Sequence, residues 1–97
     1  MLVRIVKMEF RMEEIDHFQR IFHKNKELIR AQPGCYELRL FQEKKGGQVF
    51  FTYSIWEGEQ ALENYRNSDL FKEVWRDTKK LFADKPAAWS CTERACL

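Results

Sequence analysis

Residues 33–56 read PGCYELRLFQEKKGGQVFFTYSIW, and their pattern decides the fold. The stretch opens on Pro33-Gly34, a break that ends whatever helix precedes it. Over residues 35–42, Tyr36, Leu38 and Leu40 alternate with Glu37 and Arg39, which predicts a strand. Lys44-Lys45-Gly46-Gly47 follows as a hairpin turn, because glycine supplies the positive φ that tight hairpins need. The returning strand, residues 48–56, is apolar on both sides. Val49, Phe51, Tyr53 and Ile55 fall on one face, and Phe50 and Trp56 on the other. Such a strand needs cover on both faces.

Working outward, residues 12–31 carry Ile15, Phe18, Phe22 and Ile29 at helical spacing, with Ile21, Asn25 and Leu28 flanking the stripe. Residues 2–10 are rich in β-branched side chains and predict a strand. Leu2, Val6, Met8 and Phe10 share one of its faces, near Arg4, and Val3 and Ile5 the other. On the C-terminal side, residues 58–82 read as helix, interrupted at Asn67-Ser68-Asp69, where Ser68 or Asp69 can cap a second segment. Leu70, Phe71, Val74, Trp75, Thr78 and Leu81 share one face of that segment. Residues 87–95 complete the pattern as a fourth strand.

The order is βαββαβ. The expected fold is α+β, a ferredoxin-like antiparallel sheet with both helices on one face, spanning residues 1–97 as one domain. The sheet's second face then remains apolar and uncovered. A second copy of the chain, packed sheet to sheet as a homodimer, is the expected partner. Composition agrees: 44% of the chain is hydrophobic, with eight Phe, three Trp and three Tyr, more than a small core needs.

Seventeen basic and 15 acidic residues leave a formal charge of +2. That balance gives no footprint for nucleic acid or an anionic membrane. No apolar run approaches the roughly 18 residues of a membrane span. The first ten residues interleave Arg4, Lys7 and Glu9 with apolar side chains and lack the apolar block of a signal peptide, so a cytoplasmic location is expected. Cys35, Cys91 and Cys96 are odd in number and without CxxC spacing, which predicts free thiols and no zinc site. His17 and His23 point away from the apolar stripe of their helix, toward solvent. Glu37 and Arg39 read as members of a cross-strand ion pair.

Pro33-Gly34-Cys35, the hairpin ending in Tyr53-Ser54-Ile55-Trp56, and the run Ala61-Leu62-Glu63-Asn64-Tyr65-Arg66-Asn67-Ser68-Asp69-Leu70-Phe71 together resemble the antibiotic biosynthesis monooxygenase family of dimeric α/β-barrel proteins. The resemblance covers nearly the whole chain. It implies a homodimer whose two sheets form a barrel, with a pocket in each subunit between helices and sheet. Members include oxygenases that oxidise phenolic or quinol-like aromatics without metal or cofactor, and others that degrade haem. Tyr65 stands where members often carry His, and haem-degrading members Trp. The haem-ligating His of those members falls near Trp75 here, and their first-strand Asn has no counterpart. Haem degradation is therefore disfavoured.

The resemblance implies a cofactor-free monooxygenase for a small aromatic substrate. Tyr65 would be the catalytic residue, orienting a substrate oxygen, and Trp75, Trp56 and Phe71 would line the substrate pocket. Each of these also has a packing role open to it on periodicity alone. The second functional reading is a non-catalytic dimer of the same fold, small-molecule-binding or stress-related, because fold by itself does not decide activity.

Overall fold

A computed structural model describes all 97 residues. Strand β1 (Leu2–Glu9) leads through a short 3₁₀ turn (Met12–Glu14) into helix α1 (Ile15–Arg30). The hairpin β2 (Cys35–Gln42) and β3 (Val49–Trp56) follows, then α2 (Glu59–Arg66), α3 (Asp69–Lys79) and β4 (Ala87–Cys91). The four strands form one antiparallel sheet in the order β2-β3-β1-β4, with β1 between β3 and β4. This is the α+β, ferredoxin-like arrangement. No helix is long and apolar enough to cross a membrane.

The alternation of side chains across the strands creates two unlike faces. Helix α1 turns Phe18, Phe22 and Ile29 onto the sheet. There they join Met8, Phe10, Phe50 and Leu81, and Phe10 and Phe50 are sealed from solvent. Each such aromatic contributes about 1.5–3 kcal/mol by leaving water. A second cluster joins Leu2, Cys35, Trp56 and Leu62 at the other end of the sheet. The opposite face carries Val3, Ile5, Phe51, Tyr53 and Ile55, in register across β1 and β3, with no helix above them.

Several local expectations are corrected. Strand β4 stops at Cys91, not at residue 95, because its only neighbour is β1: Cys91 pairs with Val3, and β1 begins one residue further on. A register shift between Cys35 and Glu37 takes Tyr36 out of the alternation and leaves it exposed, while Cys35 turns inward. Glu37 and Arg39 do pair, but along one strand, since residues two apart share a face. The first helical region is divided, with α-helix beginning only at Ile15 after the 3₁₀ turn. Leu28 is exposed.

Two turns depend on glycine. Gly34 has φ +82°, and a Cβ there would stand 2.6 Å from the Ala61 Cβ of α2, so the strand entry and the helix approach closely only over a bare backbone. Its carbonyl accepts from the Glu57 N–H at 2.7 Å. In the hairpin, Gly46 has φ +83° and Lys44 φ +40°.

Candidate functional site

The two core clusters do not merge. Between them, under α2 and α3 and above the sheet, lies a cavity of about 450 Å³. That is in the range of small-molecule sites. The sheet supplies Arg4, Val6 and Met8 from β1, Leu38 from β2, and Thr52 and Ser54 from β3; α3 supplies Phe71, Val74 and Trp75. The apolar stripe of α3 is accordingly half-buried rather than buried, with Thr78 its one fully covered side chain.

The joint between α2 and α3 shapes this wall. Asn67 ends α2, and Ser68 adopts extended backbone with its hydroxyl accepting from the Phe71 N–H at 3.1 Å. The same hydroxyl donates to the Tyr65 carbonyl at 2.6 Å. One side chain thus ties the end of α2 to the start of α3, satisfying a helix-terminal N–H that otherwise lacks a partner.

Tyr65, Trp56, Phe71 and Trp75 all line the cavity. Trp56 is almost wholly covered, and its indole N–H donates to Ser54 Oγ at 2.9 Å, so it offers a ring but no free donor. The Tyr65 ring stacks on it with centroids 5.1 Å apart and planes at 21°. Phe71 meets Tyr65 edge-on at 5.2 Å and 79°. Trp75 then lies parallel to Phe71, at 5.9 Å and 9°. The result is a continuous aromatic wall from the floor of β3 to the middle of α3, suited to a flat ring.

Burial, and secondarily the neighbouring Cys35 thiol, push the Tyr65 phenol well above its usual range. Tyr65 is therefore neutral at physiological pH, a hydrogen-bond donor and not a base. Burial likewise raises the Cys35 thiol, with the Arg30 charge opposing.

Arg4 and Arg66, which sequence reasoning had not assigned to a site, also line the cavity. Arg4 projects from the helix-facing side of β1, among Leu2, Val6 and Met8, and donates to Ser90 Oγ at 3.0 Å. The signal for it was its place in that alternation: residues 2, 4, 6 and 8 share one face, and only Arg4 is charged. Arg66 is the last residue of α2. The remaining polar lining consists of Thr52, Ser54, Tyr65 and Thr78.

The histidines lie elsewhere. Both are exposed on α1, and His17 Nδ1 is 3.1 Å from Glu14 Oε2. The three cysteines are free, Cys35 buried and Cys96 exposed. No three His, Cys, Asp or Glu side chains converge to hold a metal ion.

The sequence model of the family described as antibiotic biosynthesis monooxygenase matches residues 1–77. No curated protein matches the sequence. Solved structures resemble the whole fold. A crystal structure of an antibiotic biosynthesis monooxygenase superimposes with a TM-score of 0.91 at 19% identity, covering 98% of this chain and 100% of the other. A conserved protein from Methanosarcina mazei Go1 gives 0.88 at 19% identity over 96% and 93% of the two chains. A Mycobacterium tuberculosis protein gives 0.88 at 16% identity over 97% and 95%.

Proposed function

The chain belongs to the antibiotic biosynthesis monooxygenase family, and from that premise we propose that it is a cofactor-independent monooxygenase that oxidises a small phenolic or quinol-like aromatic with O2. The observation that carries this reading is the open 450 Å³ cavity walled by stacked aromatic rings, with a neutral tyrosine in the wall. A cavity filled by its own Phe and Trp side chains would have argued for packing alone.

The chemistry asks little of the protein beyond binding and orientation. An electron-rich substrate ionises, its proton passing to water, and gives an electron to O2. The radical pair combines at carbon, the resulting peroxide takes a proton back from water, and the hydroperoxide loses water with the hydrogen of that same carbon to leave a carbonyl. One oxygen atom enters the product and the other leaves as water. Tyr65, as a donor, would hold the substrate oxygen, and Trp75 with Phe71 would cover the ring and exclude water.

A second copy of the chain, seated on the helix-free face of the sheet, completes the proposed assembly. The polar lining of donors also favours a second reading, a dimer that binds such a compound without transforming it. Oxygen uptake separates the two. Quinols, anthrones and catechols incubated with the purified protein should include at least one whose O2 consumption scales with enzyme and falls several-fold in Tyr65→Phe. Binding without enzyme-dependent uptake across all three classes would leave only the second reading.

A further inference from the structure

Arg4 and Arg66 are the only charged residues lining the cavity. They also line a shallower recess of about 340 Å³, formed with Glu59, Gln60, Glu63 and Ser90. The two guanidiniums therefore stand at the boundary between an apolar interior and a polar mouth. Arg4 makes its side-chain hydrogen bond to a hydroxyl, Ser90 Oγ, and to no carboxylate. Arg66 lies 3.7 Å from Glu63, a loose contact that leaves most of its fork free. Glu59 and Glu63 border the outer recess alone.

The two like charges face each other across the cavity mouth. Burial first, and then the charge of Arg66, pull the Arg4 guanidinium below its ordinary value, with Glu63 opposing. An anion between the two arginines would offset the desolvation and the mutual repulsion together. Guanidinium groups match planar carboxylates by paired hydrogen bonds. Glu63 already neutralises part of the positive charge at the mouth, which suits a single negative charge better than two.

We propose that the ligand of this cavity is an aromatic carboxylate, its ring against Tyr65 and Trp75 and its carboxylate between Arg4 and Arg66. This rests on reading the cavity as a site for a small aromatic, and it adds the class of substituent that the aromatic carries. It holds for a substrate and for a ligand bound without turnover.

The test compares 2-naphthoate with its uncharged counterpart 2-naphthamide by isothermal titration calorimetry on the full chain. Naphthoate should bind about tenfold tighter, the worth of a charge-assisted contact. The preference should collapse in Arg4→Gln and in Arg66→Gln, while naphthamide affinity holds. Arg66 is exposed at a helix end, so its variant keeps the test decisive if Arg4→Gln folds poorly. Equal affinities, or a preference that survives both substitutions, would overturn the proposal while leaving the aromatic site intact. Tighter binding of 2-naphthyl phosphate would overturn the choice of carboxylate. Failure of both naphthyl probes to bind at millimolar concentration would overturn the aromatic site itself, and the proposal with it.

Discussion

Tyr65 holds its proton more firmly in the folded chain than in the unfolded one, and this has a measurable pH signature. Because the folded value is raised, the unfolded phenol ionises first. The stability that Tyr65 contributes is complete below the ordinary tyrosine value of about 10, and is lost as pH rises from there through the higher folded value. Cys35 acts with the same sign from its own lower starting point. Tyr65→Phe should therefore show a shallower alkaline fall in unfolding free energy than the parent, read from urea melts at about pH 8 and about pH 11. An identical fall would mean that the phenol is as well solvated folded as unfolded. The thiols give a second reading of burial. A disulfide reagent at neutral pH should label exposed Cys96 fast and buried Cys35 last, and equal rates would contradict the burial of Cys35. At this scale the aromatic wall was legible and the cations were not. Phe71 and Trp75 fall on a visible stripe, and Tyr65 stood out by resemblance. The alternation puts Arg4 on the helix-facing side with Leu2, Val6 and Met8, but no local pattern tells that the helices leave a cavity there rather than packing over it.

Among the elements, the close approach of α2 to the start of β2 rests on Gly34. Gly34→Ala adds a methyl at 2.6 Å from another and forces an L-residue to φ +82°. Overpacking of this kind costs about 1–3 kcal/mol, with the backbone penalty in addition. Denaturant titration should register the loss, and a neutral substitution would mean that α2 moves aside freely. Ser68→Ala removes the cap that starts α3 and should cost about 1 kcal/mol. Most elements were readable because their periodicity is strong: the β2–β3 hairpin, the stripe of α1, and the break at residues 67–69. The end of β4 was not. Thr92 to Ala95 continue a plausible strand sequence, but pairing depends on whether β1 still runs alongside, and no local pattern carries that information. The bulge at Tyr36 escaped for a related reason, since a register shift is fixed by the partner strand.

For the whole molecule, the unlike faces of the sheet set the main expectation. Phe41 and Trp89 are about half exposed, at 48% and 50%, and border Ile5, Phe51 and Tyr53 on the helix-free side. A contiguous apolar surface of this kind is uncommon on a monomer. Sedimentation velocity at micromolar concentration should give a dimer, and Phe51→Glu should shift it toward monomer with the helical signal unchanged. A parent protein that sediments as a monomer would rule out this assembly. The joint at Asn67–Ser68 bears on the molecule as a whole in another way. In one unbroken helix, Tyr65 and Trp75 would lie about 15 Å apart along the axis and roughly 80° apart around it. With the helix broken at that joint, both line one cavity. Selection for a stiffer protein would favour closing that joint, because a continuous helix spares two interior ends. The same change would swing Trp75 out of register with Tyr65. Rigidity and the cavity thus compete for the same few residues, and the break marks where this fold gives up helix to keep an open space.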